Sequence, residues 1–571
     1  MSSQDPQVQV GKPRLLLATL TGYQRRWFRA DVFAALTVWA VLVPESLAYA
    51  TIAGVSPVVG LYAAPLALLV YALLGTSRVL VTATMSSSAA LSAATVADIA
   101  TDKANFVAIT IALALVVGLL GVLAGVLRLG FLASFISLPV LRGFIVGIAL
   151  TIIVSQVPDL IGITSVGGDF FQRLWDLAQS VSQLNGLTLA VGATGLAAIL
   201  LLRRFVPQVP GMLTVVVLSI VASRAFDLSN SGVAVVGNIP PGLPPFGLPN
   251  LNASEYVGLI GPGIGILLVG FAEAIAAAKT YAGKDDLTLN PDRELIATGA
   301  ASVGAGLSSG MVVNGSLSKT AVNEQGGARS QVSNILVAIL VVVTLLFLTA
   351  PFEQLPQATL AAVVIAAVIQ LVDITGFRQF YGFYSKTEGH LYGLAARPDF
   401  LASLAAVFGV LVFGILPGLF IGISVSVLLI VYRSSRPHVA VLGRDPSEHW
   451  VDSHRHPNTT SVPGVLVVRP ESGLFYANAD NVHDAIIASI SAQTFAVVID
   501  AEAVPDIDLT ALLMLDRLST ELKARDIRVL VASEVGQVRD LLRSASFTHL
   551  TAGLYPTIAE AVAAAVANHG Q

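Results

Sequence analysis

The sequence predicts a polytopic α-helical membrane protein with a small α/β domain at its C-terminal end, and three observations predict it. Hydrophobic residues make up 55% of the chain and charged residues only 12%, with a mean hydropathy of +0.78; soluble domains carry about 25% charged residues. Apolar runs recur from residue 31 to residue 432. At Arg433 the composition turns polar, and strand-like and helix-like segments then alternate. Cysteine is absent, which excludes disulfides, thiolate catalysis and Cys-ligated zinc. The formal net charge of −4 argues against a nucleic-acid partner. No cofactor is expected, and no nucleophile–base set points to an enzyme.

Residues 1–30 are basic, with Lys12, Arg14, Arg25, Arg26 and Arg29 against Asp5. Leu15 to Leu20 and Trp27-Phe28 are interleaved with them, as in a segment lying on the cytoplasmic leaflet. The first 30 residues lack a short apolar run ending in small residues, so a cleavable signal peptide is not expected. The transmembrane domain is expected over 31–432. Its spans fall at 31–50, 57–75, 81–98, 104–127, 131–157, 186–202 and 212–226. After a Pro/Gly-rich loop come 256–280, 294–309, 316–325, 331–350, 357–373, 399–415 and 417–432. That makes fourteen, some shorter than the ~20 helical residues a bilayer requires.

Charge tests the count. With a cytoplasmic N-terminus, loops after even-numbered spans should carry Lys and Arg. They hold Arg78, Arg128, Arg203-Arg204, Lys284 with Arg293, Arg329, Arg378 with Lys386 and Arg397, and Arg433 with Arg436. Lys103 and Arg173 are the exceptions on the other side. Both termini are therefore expected in the cytoplasm, the chain lying in the cell (inner) membrane.

Two stretches interrupt the apolar pattern: Val81-Thr82-Ala83-Thr84-Met85-Ser86-Ser87-Ser88 and Asn314-Gly315-Ser316-Leu317-Ser318-Lys319-Thr320. Irregular backbone at membrane depth must be buried in protein or line a cavity. Short, interrupted segments in corresponding halves point to a transporter binding site. Each stretch is read as opening a half-helix, with its N–H groups and positive dipole end facing an anion. An acid precedes each at similar spacing: Glu45 lies 41 positions before Ser86, and Glu273 lies 43 before Ser316. Seven spans plus seven then form a repeat, and an odd repeat inverts the second copy.

Five side-chain groups carry the chemistry. Glu45 follows Pro44, which kinks or breaks a helix, and an acid inside a span costs about 2.5–3.5 kcal/mol on insertion scales. It is read as a proton-titrating group, the alternative being a structural pairing with a neighbouring span. Glu273 sits among small residues and is read as a proton or cation holder, or as orienting the neighbouring half-helix. Two compatible roles are open to Lys319: charge for the anion, or neutralisation of Glu45 or Glu273. Ser86, Ser87, Ser316 and Ser318 are candidate hydroxyl donors, close helix packing being the alternative.

Residues 433–462, with Pro437, Pro446 and Pro457, read as a linker. His449, His454 and His456 within it read as a solvated loop rather than a metal site. Residues 463–571 read as α/β, with strands at 465–468, 496–500 and 529–532 and helices at 481–491, 509–524, 535–544 and 557–567. Strands alternating with helices imply a mainly parallel sheet. Asp508 is a candidate N-cap, and Thr510 beside it a candidate phosphorylation site.

At these residues the chain resembles the SulP family of anion transporters (sulfate permeases), which end in a STAS domain. The resemblance rests on residues 36–50 (LTVWAVLVPESLAYA), Gly60-Leu61-Tyr62, Gly75-Thr76-Ser77-Arg78 and 315–323 (GSLSKTAVN). It implies a 7+7 inverted repeat, a mobile core of spans 1–4 and 8–11, a gate domain of spans 5–7 and 12–14, a homodimer and elevator-like transport. By position it implies a substrate site of Tyr49, Met85, Ser86, Ser87, Ala277, Ser316, Leu317, Ser318 and Lys319, with coupling at Glu45 and Glu273. Thr510 falls where related STAS proteins carry a phosphorylated hydroxyl. Ala83-Thr84 stands where the family often has Gly-Pro, and Ala511 where STAS domains often have Gly. Lys319 stands where Arg is common, and lacks the guanidinium fork. Glu45 stands where many eukaryotic members have Gln, which favours proton symport over exchange. The expected function is proton-coupled transport of a small oxyanion (sulfate, bicarbonate or a dicarboxylate). Sodium-coupled bicarbonate transport is the nearest alternative, and an anion channel or a STAS-based membrane sensor is the alternative of another class.

Overall fold

The computed structural model describes Thr19 and residues 23–100, 103–131, 137–163, 168–206, 209–281, 289–369, 393–544 and 553–567. The chain divides into two compact units, 1–426 and 427–571.

The first unit is helical. Its first half holds α1 (Phe28–Ile52), α2 (Pro57–Leu74), the short strand β1 (Val81–Ala83), α3 (Ser86–Ile99), α4 (Lys103–Val126), α5 (Leu138–Ile161), α6 (Phe170–Ser180), α7 (Gly186–Phe205) and α8 (Gly211–Ala225). The second half holds α9 (Ala253–Gly258), α10 (Ile260–Thr280), α11 (Pro291–Leu307), β2 (Asn314–Ser316), α12 (Leu317–Gln325), α13 (Val332–Phe347), α14 (Thr349–Phe352), α15 (Gln357–Ile369), α16 (Gly393–Phe413) and α17 (Ile415–Ser434). Among the described residues, seven helices are long and apolar enough to cross a membrane unaided. Other helices are shorter, α3 and α12 among them, each preceded by a short strand in place of further helical turns.

Local chemistry sets these boundaries. Asn290 caps α11 by accepting from the N–H groups of Asp292 (3.0 Å) and Arg293 (3.1 Å), with Pro291 in its first turn. Asn185 caps α7 in the same way, and Arg203-Arg204 close its last turn. The described spans match the expected ones within a few residues, with one addition. Helix α6 lies in a stretch read as a loop; it exposes Phe171, Leu174 and Trp175 and buries no residue. Its mixture of aromatic and charged residues suits a helix lying in the membrane interface and hides it from a search for spans. Residues 370–392, which include the end of the expected span 357–373, lie outside the described residues.

Helices pack closely where glycine removes the side chain. A Cβ on Gly299 of α11 would stand 2.7 Å from Gly118 O and from Val122 N of α4, so these two helices meet backbone to backbone. In the same way, a Cβ on Gly143 of α5 would stand 2.2 Å from Ser403 O of α16.

The second unit is a six-stranded mixed sheet in the order β4-β3-β5-β6-β7-β8. Its elements are β3 (Val439–Arg444), β4 (Trp450–Asp452), β5 (Val465–Pro470), α18 (Ala479–Ala488), β6 (Ala496–Asp500), α19 (Leu509–Lys523), β7 (Arg528–Ala532), α20 (Gly536–Ser544), β8 (Leu554–Tyr555) and α21 (Ile558–Ala567). Strands β5 to β8 are parallel, and β3 runs antiparallel to β4 and β5. One face packs on α18, α19 and α20, the other on α21. Residues 433–462, expected as a linker, therefore supply two strands of this sheet. Prolines at 437, 446 and 457 obscure the alternating burial of β3. The expected parallel sheet holds for its central part, and the antiparallel edge comes from that segment.

Gly299→Val should force α4 and α11 apart and cost about 1–3 kcal/mol of stability. Thermal unfolding of the detergent-solubilised protein measures it; an unchanged transition contradicts the backbone contact.

Candidate functional site

Strands β1 and β2 pair antiparallel, with Val81 opposite Ser316, Thr82 opposite Gly315 and Ala83 opposite Asn314. The ladder satisfies backbone that would otherwise be unpaired in the bundle interior. Because the strands run oppositely, α3 and α12 leave the crossing in opposite directions. Gly315 fits only without a side chain, since a Cβ there would stand 2.7 Å from Ala274 Cβ.

Buried polar side chains hold the crossing in place. Val81 N donates to Thr320 Oγ1 (3.1 Å), and Asn314 Nδ2 donates to Ser88 Oγ (3.0 Å). Gln331 Nε2 and Asn334 Nδ2 both donate to Leu80 O, at 3.0 and 2.7 Å. Glu294, fully buried on α11, accepts from Tyr71 Oη (2.7 Å), Thr76 N (2.7 Å), Thr76 Oγ1 and Ser77 N (3.2 Å) in the loop before β1. Asp31 of α1 likewise accepts from Arg329 N (2.8 Å) and Ser330 Oγ (2.9 Å) after α12.

The helix starts face a cleft of about 80 Å³. Its walls include Tyr49 of α1, Met85 and Ser86 at the start of α3, Glu273 of α10, and Ser316, Leu317, Ser318 and Lys319 at the start of α12. Met85 occupies the N-cap of α3 without a side-chain cap, so the first N–H groups of that helix have no intrahelical acceptor. Ser316 caps α12 only loosely, accepting from Lys319 N at 3.4 Å.

The two carboxylates are placed differently. Lys319 Nζ lies 2.5 Å from Glu45 Oε2, donates to Thr84 O at 3.1 Å and stands 5.0 Å from the Tyr49 ring centre. Both members of the ion pair are buried. Of the two roles open to Lys319, neutralisation of Glu45 is therefore occupied, while part of the side chain still lines the cleft. Glu273 accepts from Ser87 Oγ at 3.3 Å, and among the described residues no cation pairs with it.

Ser87 thus ties α3 to α10 rather than lining the cleft. Ala277 is fully buried in the cluster that includes Tyr49 and Ala50, and its neighbour Ala276 lines the cleft instead. The cleft also takes Leu141 and Ile145 from α5 and Ala367 from α15. These apolar residues look like any other span residue, and no signal in the sequence distinguishes them. Thr510 belongs to the second unit. It is exposed in the first turn of α19, whose N-cap Asp508 accepts from Ala511 N at 2.8 Å and from Tyr476 N at 2.8 Å.

Two half-helices starting from a shared ladder inside a helical bundle, in a chain that also carries a STAS-like sheet, define a class of multi-pass membrane transporters. This chain belongs to the sulfate permease family, whose sequence profile matches residues 28–391; the STAS domain profile matches residues 456–561. It is 36% identical to a probable sulfate transporter of Mycobacterium tuberculosis, over 92% of each chain. It is 29% identical to high affinity sulfate transporter 1 of Stylosanthes hamata, over 95% of this chain and 84% of that one. The fold is that of the murine Solute Carrier 26 family member A9 anion transporter, with a TM-score of 0.86 at 21% identity over 97% of this chain and 94% of that chain. The transmembrane domain of a cyanobacterium bicarbonate transporter superposes with a TM-score of 0.58 at 22% identity, over 68% of this chain and 98% of that domain.

Removing one member of a buried pair costs about 3–5 kcal/mol, because the other charge is left unpaired. Glu45→Ala and Lys319→Met should each destabilise on that scale, and the double variant by clearly less than their sum. Thermal unfolding of all four proteins measures this; strict additivity contradicts the pair.

Proposed function

We propose that this protein carries a small oxyanion across the cell (inner) membrane by proton-coupled symport, the anion bound between the starts of α3 and α12. The observation that carries the reading is the pairing of Lys319 with Glu45 beside two helix starts, α3 with no side-chain cap and α12 capped only by the 3.4 Å bond from Lys319 N to Ser316 Oγ. With Lys319 already neutralised by Glu45, attraction for an anion comes mainly from the helix dipoles and the N–H groups of residues 86–88 and 317–318. The hydroxyls of Ser86, Ser316 and Ser318 add donors. Sulfate permease relatives in bacteria and plants support the anion class; sulfate, bicarbonate and dicarboxylates remain the candidates.

Coupling follows from charge. A carboxylate in the wall opposes an incoming anion, and among the described residues no cation offsets Glu273. A proton on Glu273 removes that opposition, so proton and anion enter together. Protonation of Glu45 acts differently: it releases Lys319 toward the cleft. The substrate then rides with α1–α4 and α10–α13 past the rest of the helical unit, in a homodimer with both termini cytoplasmic. Sodium coupling is the second reading, favoured by the same unpaired carboxylate, which suits a small hard cation.

Isotope uptake into proteoliposomes tests the reading. Uptake of sulfate, bicarbonate or fumarate should rise as the external pH falls, and Glu273→Gln or Glu45→Gln should flatten that dependence. Wild-type dependence in both variants contradicts coupling through these acids. Replacing sodium with choline separates the two cations: loss of uptake in choline favours sodium.

A further inference from the structure

A second, larger cavity lies in the helical unit, with a volume of about 430 Å³. It sits between the C-terminal half of α3, the end of α1 and the start of α4 on one side, and the end of α5, α6 and the α16–α17 junction on the other. Its two walls differ. The α3 wall is alanine: Ala90, Ala94 and Ala97. The opposite wall sets the polar Gln156 and Asp159 of α5 and Arg173 of α6 among apolar residues such as Ile152, Phe170 and Leu411. None of these belongs to the site between the helix starts.

Two donors in that wall are unused. Arg173 Nε is buried and has no hydrogen-bond partner among the described residues. Gln156 is only 6% exposed, lines the cavity, and its amide makes no hydrogen bond among the described residues. Unsatisfied buried donors in a built cavity call for a ligand or ordered solvent. Thr151 and Ser155 have already given their protons to Gly147 O (2.9 Å) and Ile152 O (2.7 Å), so they offer the cavity lone pairs only. Among the described residues, the titratable groups lining this space are Arg173, Asp159 and Asp169.

We infer that this vestibule is a waiting site for the transported oxyanion on the side of the membrane reached by the C-terminal ends of α1 and α5. Arg173 and Gln156 provide the donors. The inference rests on the transport reading above, and on the orientation that places this side outside. Its chemistry sets a preference. A dianion meets two donors and the repulsion of two carboxylates. A singly charged oxyanion that keeps its own O–H can accept from Arg173 and Gln156 and donate to a carboxylate or to the Thr151 and Ser155 lone pairs. Binding is weak, as a station on a transport path requires. A cation in such a cleft raises the local anion concentration and the rate of entry.

Initial rates of radiolabelled bicarbonate and sulfate uptake in vesicles of both orientations test it, using the full-length protein. Arg173→Gln should raise KM for bicarbonate presented at the vestibule side by roughly tenfold with Vmax held, the scale of lost steering by one charge. KM from the opposite side should stay at the wild-type value, which also reports a folded carrier. Arg173→Lys should recover most of the loss, and Gln156→Ala should give a smaller loss with the same sidedness. The sulfate shift should be smaller than the bicarbonate shift. An unchanged KM in both Arg173→Gln and Gln156→Ala, or a shift equal from both sides, overturns the waiting site. A sulfate shift as large as that for bicarbonate overturns the preference. If wild-type vesicles move neither anion, the transport reading itself fails, which is a different result from unchanged variants of an active carrier.

Discussion

The helical unit depends on a three-residue antiparallel ladder deep inside a bundle of apolar helices. Val81 to Ala83 and Asn314 to Ser316 are the places where helix is abandoned. Hydrocarbon offers no partner for the backbone groups this frees, so they must find one another. Once they do, the geometry that follows is constrained. Two helices start at the crossing, point away from each other, and leave their first N–H groups around a common space. Glycine at 315, the amide brackets of Asn314, Gln331 and Asn334, and the buried carboxylates Glu294 and Asp31 all hold that arrangement.

A binding site made of helix ends differs in kind from one made of basic side chains. A fixed cation holds an anion strongly and releases it slowly. Peptide dipoles give a shallower well, suited to a carrier that must let go on the far side. On the proposed reading, Lys319 is a residue able to turn this site into the stronger kind, and Glu45 holds it in an ion pair. The pair is itself buried, so it contributes little net stability. On the proposed reading, it provides a charge balance that a proton can tip. Glu273, tied to Ser87, is the second place where, on the proposed reading, charge is settled before an anion enters.

Much of this was legible in the sequence, and the reasons are physical. Polar, glycine-punctuated residues at 81–88 and 314–320 stand out because nothing else in such an apolar chain tolerates them. Glu45, Glu273 and Lys319 stand out because intramembrane charge is expensive. Partnerships were not legible: that Lys319 pairs with Glu45 and not Glu273 depends on how two distant spans cross. Leu141, Ile145 and Ala367 carry no mark because a cleft-lining apolar residue and a packed one look alike. The α6 helix was hidden by its charges, and the strands of 439–452 by flanking prolines, both cases where local composition argues against a structure that tertiary packing supplies. The alanine at the cleft is Ala276 and not Ala277, one step around a helix that composition cannot orient.

The most direct measurement is the position of a heavy oxyanion in the protein. Selenate, soaked into crystals and located by its anomalous signal, should lie between the starts of α3 and α12. It should be within hydrogen-bond distance of the N–H groups of residues 86–88 and 317–318, with Lys319 still on Glu45. Selenate seated on Lys319 with Glu45 displaced, and away from the helix ends, would contradict the account.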